Sequence, residues 1–492
     1  MIDVILSDKA YENDVYPLIK AFYSEEMIKV HAADEYTDEN REEASLHRIR
    51  IDFLSEGIRI TSEQGTCSDT DFCGFKETST RSAYKNAMKR FLYQKLSAIT
   101  GHTLPWGILT GIRPTKLVYE QLEQGKTEEK IYHWMRSEYL CSDEKIAVSI
   151  DIAGRELELL KEIDYRQGYS IYIGIPFCPS TCLYCSFTSY SAAKYADYIG
   201  KYLTALKKEI RSFSGCFPGK KLTSVYLGGG TPTTLSAEQL DDLLGLVKNQ
   251  FDFSNVKEFC VEAGRPDSIT RDKLEVLMKW GVDRISINPQ SMQQRTLDLI
   301  GRNHTIEQVK EAFSLAREVG HKNINMDIIL GLPGENPDDV ADTLEQIQCL
   351  NPESLTVHTL AVKRAARLNL MKEQYSDQKA SQVGTMLEQT IQFAKNNEYL
   401  PYYLYRQKNM ADNLENIGYS RFGKEGLYNI LIMEEKQTIL ALGAGGMSKF
   451  VFHKENRLER VDNVKSVTDY IDRIDEMIAR KKNFLEVNIE EL

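Results

Sequence analysis

At 492 residues, with 42% hydrophobic and 27% charged side chains, the chain can bury a large core in roughly two to four domains. Its net charge of −11 speaks against nonspecific nucleic-acid binding, which depends on neutralising phosphates, while leaving room for a local basic pocket. No apolar run approaches the roughly 18 to 20 residues of a membrane span, the N-terminus lacks the basic and apolar regions of a signal peptide, and nine cysteines, an odd number, disfavour a disulfide framework, so a soluble cytoplasmic protein is expected.

Residues 1–165 have a texture of their own. "IRIDFLSEGIRIT" predicts a β-hairpin, and "SAYKNAMKRFLYQKLSAITG" a helix. "RPTKLVYEQLEQG" predicts a second helix with Pro114 at its first position. "EEKIYHWMRSEYLCSDEKIAVSIDIAGRELELLKEI" continues the helical pattern. An N-terminal α+β extension is expected here.

From residue 166 a rhythm appears. "SIYIGIPF", "TSVYLGGG", "KEFCVEAG", "DRISINPQ", "NINMDIILGLPG" and "SLTVHTLAV" are short apolar runs, often β-branched. Amphipathic helical stretches separate them, several opening on a capping residue: Ser236, Thr270 and Thr305. Short buried strands alternating with helices predict βαβ units and a parallel sheet. Six units are too few for an eight-fold barrel. The fold class expected is α/β, a partial (β/α)6 barrel over residues 166–370, with a flat doubly wound sheet as its rival. Residues 371–492 open on a helix, "SDQKASQVGTMLEQTIQFAKNNEYL". The strand-like "YYLYRQ" and two strand-like pieces around a glycine-rich turn follow, which predicts a C-terminal α+β domain packing on the barrel.

Between the first strand and the first helix stands "GIPFCPSTCLYCSF", with Cys178, Cys182 and Cys185 spaced C-x3-C-x2-C. A zinc site wants four ligands, usually in two knuckles, and no histidine lies near this triplet in the sequence. A redox CxxC pair would leave Cys178 unexplained. Three thiolates on a short loop can hold three corners of a [4Fe–4S] cube, leaving one iron free to chelate a small molecule. Three buried apolar cysteines are the plain alternative. The position favours chemistry, because loops after parallel strands lie at the C-terminal face of a barrel. Tyr172 and Tyr184 flank the triplet, either as core aromatics or as rings against a bound base.

Other positions carry weaker signals. In "GGGTP" the glycines let backbone carbonyls approach a ligand closely, although a plain strand-end turn reads the same. Glu262, closing the third strand, can bind hydroxyls or an ammonium, or simply face solvent. Asp327 is a charge inside an apolar strand, so it needs a partner, either a ligand amine or an internal arginine.

The triplet after a first barrel strand resembles the signature of the radical S-adenosylmethionine (SAM) superfamily. "YIGIPFCPSTCLYCSF", "LGGGTPT", "VEAGRPD", "RISINPQS", "IGRNH" and "NMDIILGLPGE" recur in the order found in oxygen-independent coproporphyrinogen III dehydrogenases (oxidases). The N-terminal extension and "YYLYRQKNMADNLENIGY" look like the HemZ-type branch of that family. The resemblance implies one [4Fe–4S] cluster on Cys178, Cys182 and Cys185, SAM on its open iron, and an electron donor such as a flavodoxin or ferredoxin. It implies that Tyr172, Gly229, Gly230, Thr231 and Glu262 bind the first SAM. Tyr184, Gln290 and Arg302 match residues on a second SAM molecule, the arginine on its carboxylate. Asp327 joins the SAM-binding set, and Ala361 and Met447 fall where the family makes further backbone contacts to SAM.

Two departures from that pattern stand out. Gly174 replaces a common histidine, and Phe187 replaces a fourth cysteine. Phe187 resembles instead the haem-chaperone branch, whose HNxxYW signature is missing here. Arg113, Lys116, Lys363, Arg364, Arg367, Arg406 and Lys408 are candidate cations for a substrate with four carboxylates, or else a solvated charge run. The expected function is oxidative decarboxylation of coproporphyrinogen III to protoporphyrinogen IX in anaerobic haem biosynthesis. Its rivals are a haem-binding chaperone and a radical SAM methyltransferase acting on a tetrapyrrole.

Overall fold

The computed structural model describes residues 1–24, 26–36, 47–65, 67–74, 80–111, 113–185, 189–360, 380–406 and 414–492. The chain divides into two compact units, Met1–Asp151 with Tyr405–Glu415, and Ile152–Leu404 with Asn416–Leu492.

The first unit is built on a five-stranded sheet. Strand β1 (Ile2–Leu6) runs parallel to β2 (Ile28–Ala32) and β3 (His47–Leu54). From β3 an antiparallel meander continues through β4 (Gly57–Gln64) to β5 (Cys67–Gly74), and β3–β4 is the hairpin expected from the sequence. Helices α1 (Glu12–Phe22) and α2 (Arg81–Thr100) pack on it through Val15, Leu18, Ile19, Met88, Leu92 and Leu96. Each fully buried Ile or Leu there stabilises the unit by about 1.5–3 kcal/mol. Helix α3 (Pro114–Glu123) starts with Pro114 at its first position, followed by α4 (Glu128–Tyr139) and α5 (Asp143–Glu162). Within this unit Glu415 accepts from Trp106 Nε1 at 2.7 Å and pairs with Lys145.

The second unit carries the rhythm read from the sequence. Its six βα strands are β6 (Gly168–Ile175), β9 (Lys221–Gly229), β10 (Glu258–Gly264), β11 (Arg284–Ile287), β12 (Ile324–Leu330) and β13 (Ser354–Thr359), where β7 (Phe177–Cys178) and β8 (Tyr190–Ser191) form a small ribbon in the first loop. These six pair in chain order and all in parallel. They are buried almost residue by residue rather than in alternation, as a sheet covered on both faces requires. The crossover helices are α6 (Ala196–Ser212), α7 (Ala237–Gln250), α8 (Arg271–Lys279), α9 (Gln294–Leu299), α10 (Ile306–Val319) and α11 (Pro337–Leu350). Ser236 and Thr305 close capping boxes, whereas Thr270 sits at its N-cap without a side-chain bond.

The C-terminal segment extends both edges of this sheet. After α12 (Ala380–Asn396) come β14 (Leu400–Tyr405) and β15 (Asn416–Ser420), which runs antiparallel to β13. After α13 (Leu427–Glu434), β16 (Thr438–Leu442) lies parallel to β6, and β17 (Met447–Phe452) and β18 (Arg457–Asp462) close the sheet as antiparallel neighbours. This seventh parallel strand was not legible from periodicity, because the sequence reads as one hairpin through the glycine turn. Helices α14 (Val467–Asp472) and α15 (Ile474–Asn488) finish the chain.

The glycine turn after β16 is held from beneath. Glu209 on α6 accepts from the Gly443 backbone at 2.8 Å, Tyr470 at 2.6 Å, Asn463 at 2.9 Å and Lys481 at 2.7 Å, and neither charged side chain of the pair touches solvent. Removing one partner of such a pair costs about 3–5 kcal/mol. The turn is thereby pressed against the end of β6: a Cβ on Gly443 would come within 2.6 Å of the Gly174 carbonyl.

Candidate functional site

The parallel register brings the C-terminal ends of the strands to one edge, with Ile175 opposite Gly229 and Gly264 opposite Ile287. The cysteine loop starts there. Its backbone is pinned by Ala192 N to Cys178 O at 2.8 Å, Leu183 N to Ile300 O at 3.0 Å and Thr231 N to Phe177 O at 2.7 Å. The Thr231 hydroxyl donates to Cys178 Sγ at 3.6 Å, and Arg265 Nη1 donates to Cys182 Sγ at 3.8 Å. Burial raises the Cys178 thiol pKa, against the hydrogen bond from Thr231, which lowers it. Among the described residues no three His, Cys, Asp or Glu side chains are already gathered at metal-binding distance. The chemistry of the donor set nonetheless fits an iron–sulfur cluster: three thiols within eight residues of one loop, with O–H and N–H donors aimed at two of the sulfurs.

The glycines beside this loop are there for close approach. A Cβ on Gly230 would fall 2.5 Å from Phe177 O, and one on Gly229, at φ +108°, would fall 3.1 Å from the Tyr172 hydroxyl. Gly228 faces the Glu262 carboxyl in the same way, at 2.9 Å. By contrast, the nearest atoms to a Cβ on Gly174 lie at 3.4–3.6 Å, so packing does not demand a glycine there.

Below the glycines, Tyr172, Tyr226 and Tyr428 form a ring stack, with centroids 6.2 Å apart for Tyr172–Tyr226 and 4.4 Å for Tyr226–Tyr428. The Tyr226 hydroxyl donates to Glu262 at 2.5 Å. Burial pushes the Glu262 carboxyl up to about 7, and the nearby Asp327 charge adds to that. Asp327 goes the opposite way. Burial works against its ionisation, but His358 and hydrogen bonds from Asn325 and Thr356 outweigh it and lower its pKa. Its partners are thus Asn325 Nδ2 at 2.7 Å and His358 Nε2 at 3.8 Å, not the internal arginine the sequence allowed.

After β11 the backbone is irregular. Gln290 takes φ +70°, unusual for a side chain with a Cβ, and is fixed by Gln290 N to Asp327 O and Ile329 N to Gln290 O, both 2.9 Å. The Gln290 and Asn288 amide oxygens are buried without a hydrogen-bond partner among the described residues. Leaving such acceptors unpaired costs about 1–3 kcal/mol each, which a ligand's N–H or O–H would offset. Arg302 spans this region. It donates to Asn288 O at 2.6 Å and to the Tyr184 hydroxyl at 3.1 and 3.3 Å.

The structure therefore joins Cys178 with Thr231, Tyr172 with Gly229, Glu262 with Tyr226 and Gly228, Gln290 with Asp327, and Tyr184 with Arg302. Met447 stands apart, 45% exposed at the head of β17 and paired with Asp462. Ala361, Phe187, Lys363, Arg364, Arg367 and Lys408 lie outside the described residues. Arg406 is buried in the first unit, over the Trp106 ring and bonded to Leu109 O at 2.7 Å, so it is spent on packing rather than presented to a substrate. Sequence reasoning missed Arg265, Tyr226, Tyr428, His358 and His304. The last is neutral, its pKa pushed down to about 3 by burial, and neither ring nitrogen has a partner among the described residues. "VEAGRPD" and "IGRNH" carried Arg265 and His304 in plain sight, but nothing local gives them a role.

Comparison with known proteins places the chain in a family. The sequence model described as the radical SAM superfamily matches residues 172–347. The chain is 44% identical over 407 residues to the oxygen-independent coproporphyrinogen-III oxidase-like protein HemZ of Bacillus subtilis (strain 168), across 82% of this chain and 81% of that one. It is 35% identical over 206 residues to the heme chaperone HemW of the same organism, across 42% and 54% of the two chains. With the oxygen-independent coproporphyrinogen III oxidase of Escherichia coli (strain K12) it shares 32% over 192 residues, 39% and 42% of the two chains. Among solved structures, coproporphyrinogen III oxidase (HemN) from Escherichia coli, a radical SAM enzyme, superposes with a TM-score of 0.52 at 23% identity, over 65% of this chain and 73% of that one. The chain belongs to the radical SAM superfamily and, within it, to the oxygen-independent coproporphyrinogen-III oxidase-like family that includes HemZ.

Proposed function

We propose that the protein is a coproporphyrinogen III dehydrogenase, converting two propionates of the substrate to vinyl groups, each with loss of CO2, of a hydrogen atom to a SAM-derived radical and of one electron to an electron acceptor. The observation that carries the reading is the three-thiol loop at the end of the first parallel strand, with donors aimed at its sulfurs, in a chain of this family. When bound, the cluster and SAM would supply a 5′-deoxyadenosyl radical able to abstract hydrogen from an unactivated carbon. The chain's own residues do the rest. Cys178, Cys182 and Cys185 would hold the cluster, steadied by Thr231 and Arg265. The SAM amino-acid end would lie along the Gly229–Gly230 backbone beside Tyr172, a backbone the glycines let pack closely on Phe177 and Tyr172. Glu262 offers a carboxyl that changes charge near neutrality, able to accept from a ribose hydroxyl or face an ammonium. The orphaned Gln290 and Asn288 oxygens, with Arg302 and Tyr184, would receive a second SAM.

A haem-binding chaperone is the second reading. Phe187, in place of the family's fourth cysteine, and the identity with HemW favour it. The two separate on one experiment. Reconstituted protein, SAM and a low-potential reductant are incubated anaerobically with coproporphyrinogen III and analysed by mass spectrometry. Dehydrogenation predicts loss of two CO2 through a mono-vinyl intermediate. Unchanged substrate with stoichiometric haem binding would establish the chaperone instead, and gain of a methyl group a methyltransferase.

A further inference from the structure

Arg265 stands just past the end of β10 and is 3% exposed. A guanidinium buried that deeply is tolerated only where directed hydrogen bonds offset its desolvation. Its N–H groups are divided between two directions. Nε and Nη2 donate to the two Asp267 oxygens at 3.0 and 2.8 Å. Nη1 faces the cysteine loop, reaching Ser180 Oγ at 2.7 Å, the Ser180 carbonyl at 3.2 Å and Cys182 Sγ at 3.8 Å. Ser180 Oγ in turn donates to Gly301 O at 3.2 Å. Arg265 thus ties the loop after β6 to the loop after β10, and Ser180 ties it on to the loop after β11.

A neutral thiol is a poor acceptor and gives little in return for a buried cationic donor. A thiolate or a metal-bound sulfur gives much more. Cys182 is itself buried, so water does not compete for its sulfur. Reducing a cluster adds a negative charge, and an N–H aimed at one of its sulfurs favours the reduced form. Asp267 opposes that effect and limits it.

We propose that Arg265 is a positioning residue for the cluster: its donation to Cys182 Sγ orients the loop and raises the cluster's reduction potential. The proposal rests on the three-cysteine cluster reading above.

The test is an anaerobic redox titration followed by electron paramagnetic resonance, with iron and sulfide measured on every sample. Wild type, Arg265→Met, Arg265→Lys and Asp267→Asn are compared. In Arg265→Met the ratio of reduced to oxidised cluster at a fixed potential should fall about tenfold, the size of one lost hydrogen bond to a charged acceptor. Arg265→Lys should lie between. Asp267→Asn should move the other way, because it removes a negative charge and leaves the guanidinium. A residue that merely braced the loop would lower cluster content in both Arg265 variants and leave potentials unmoved. Equal potentials across the set overturn the proposal. If Arg265→Met holds no cluster, Arg265→Lys and Asp267→Asn decide it alone. A wild type without iron would remove the cluster reading first, and the iron assay shows which has failed.

Discussion

Arg302 and Tyr184, 118 residues apart in sequence, meet at the end of the fourth parallel strand, where the guanidinium donates twice to the phenol oxygen. Arg302 also holds the carbonyl of Asn288, whose amide oxygen is unpaired like that of Gln290, and Tyr184 packs against the buried cluster of Leu297, Ile300, Ile329 and Leu332. If this is where a second SAM sits, Arg302→Ala should leave the first SAM cleavage intact while lowering substrate turnover at least tenfold. Tyr184→Phe, which keeps the ring and loses the acceptor, should do less. Counting 5′-deoxyadenosine and tetrapyrrole product separately checks this, and an Arg302→Ala enzyme with normal turnover would remove the second-SAM assignment.

Iron content tests the cysteine loop. Replacing Cys178, Cys182 or Cys185 by Ala should abolish the cluster's absorbance. The same change at Cys67, Cys73, Cys141, Cys216, Cys260 or Cys349 should leave about four irons per chain. A Cys182→Ala protein with a full cluster would defeat the assignment.

Gly230 is a steric test of the same loop. With 2.5 Å between its would-be Cβ and Phe177 O, Gly230→Ala must displace the strand that leads into Cys178. A loss of about 1–3 kcal/mol is expected, with lower cluster occupancy. Denaturant unfolding and iron assay read both effects; a variant as stable and as iron-loaded as the wild type would contradict the geometry.

Much of this was legible because it is local. The parallel strands announce themselves, since strands buried on both faces become short runs such as "SIYIGIPF". The cysteine spacing needs only eight residues of one loop. What pairs across the sheet was not legible. Tyr428 reaches the Tyr172–Tyr226 stack from a helix far along the chain, and β16 joins β6 by a register that no periodicity encodes. Asp327 reads as a charge in need of a partner, but which partner depends on the neighbouring strand, which supplies His358.

Glu262 makes a prediction in pH. Burial holds its carboxyl at about 7 against an ordinary 4.5, so the folded protein binds a proton that the unfolded chain has released. Its contribution to stability is fully present below about pH 4.5 and is lost as pH rises through about 7. Glu335, raised by burial to about 7, acts in the same window. Glu262→Gln should therefore remove part of the fall in stability across that range, on the order of 1–3 kcal/mol. Urea unfolding at about pH 5 and about pH 8 gives the answer, and an unaltered slope with pH would reject the buried-carboxyl account.

The central claim is that the protein takes hydrogen from the propionate side chains of coproporphyrinogen III. The most direct measurement uses substrate deuterated at the β-carbons of those propionates, incubated anaerobically with the reconstituted protein, SAM and a low-potential reductant. The account predicts deuterium in the 5′-deoxyadenosine released, together with a product carrying two vinyl groups. Unlabelled 5′-deoxyadenosine with the substrate recovered intact would contradict it.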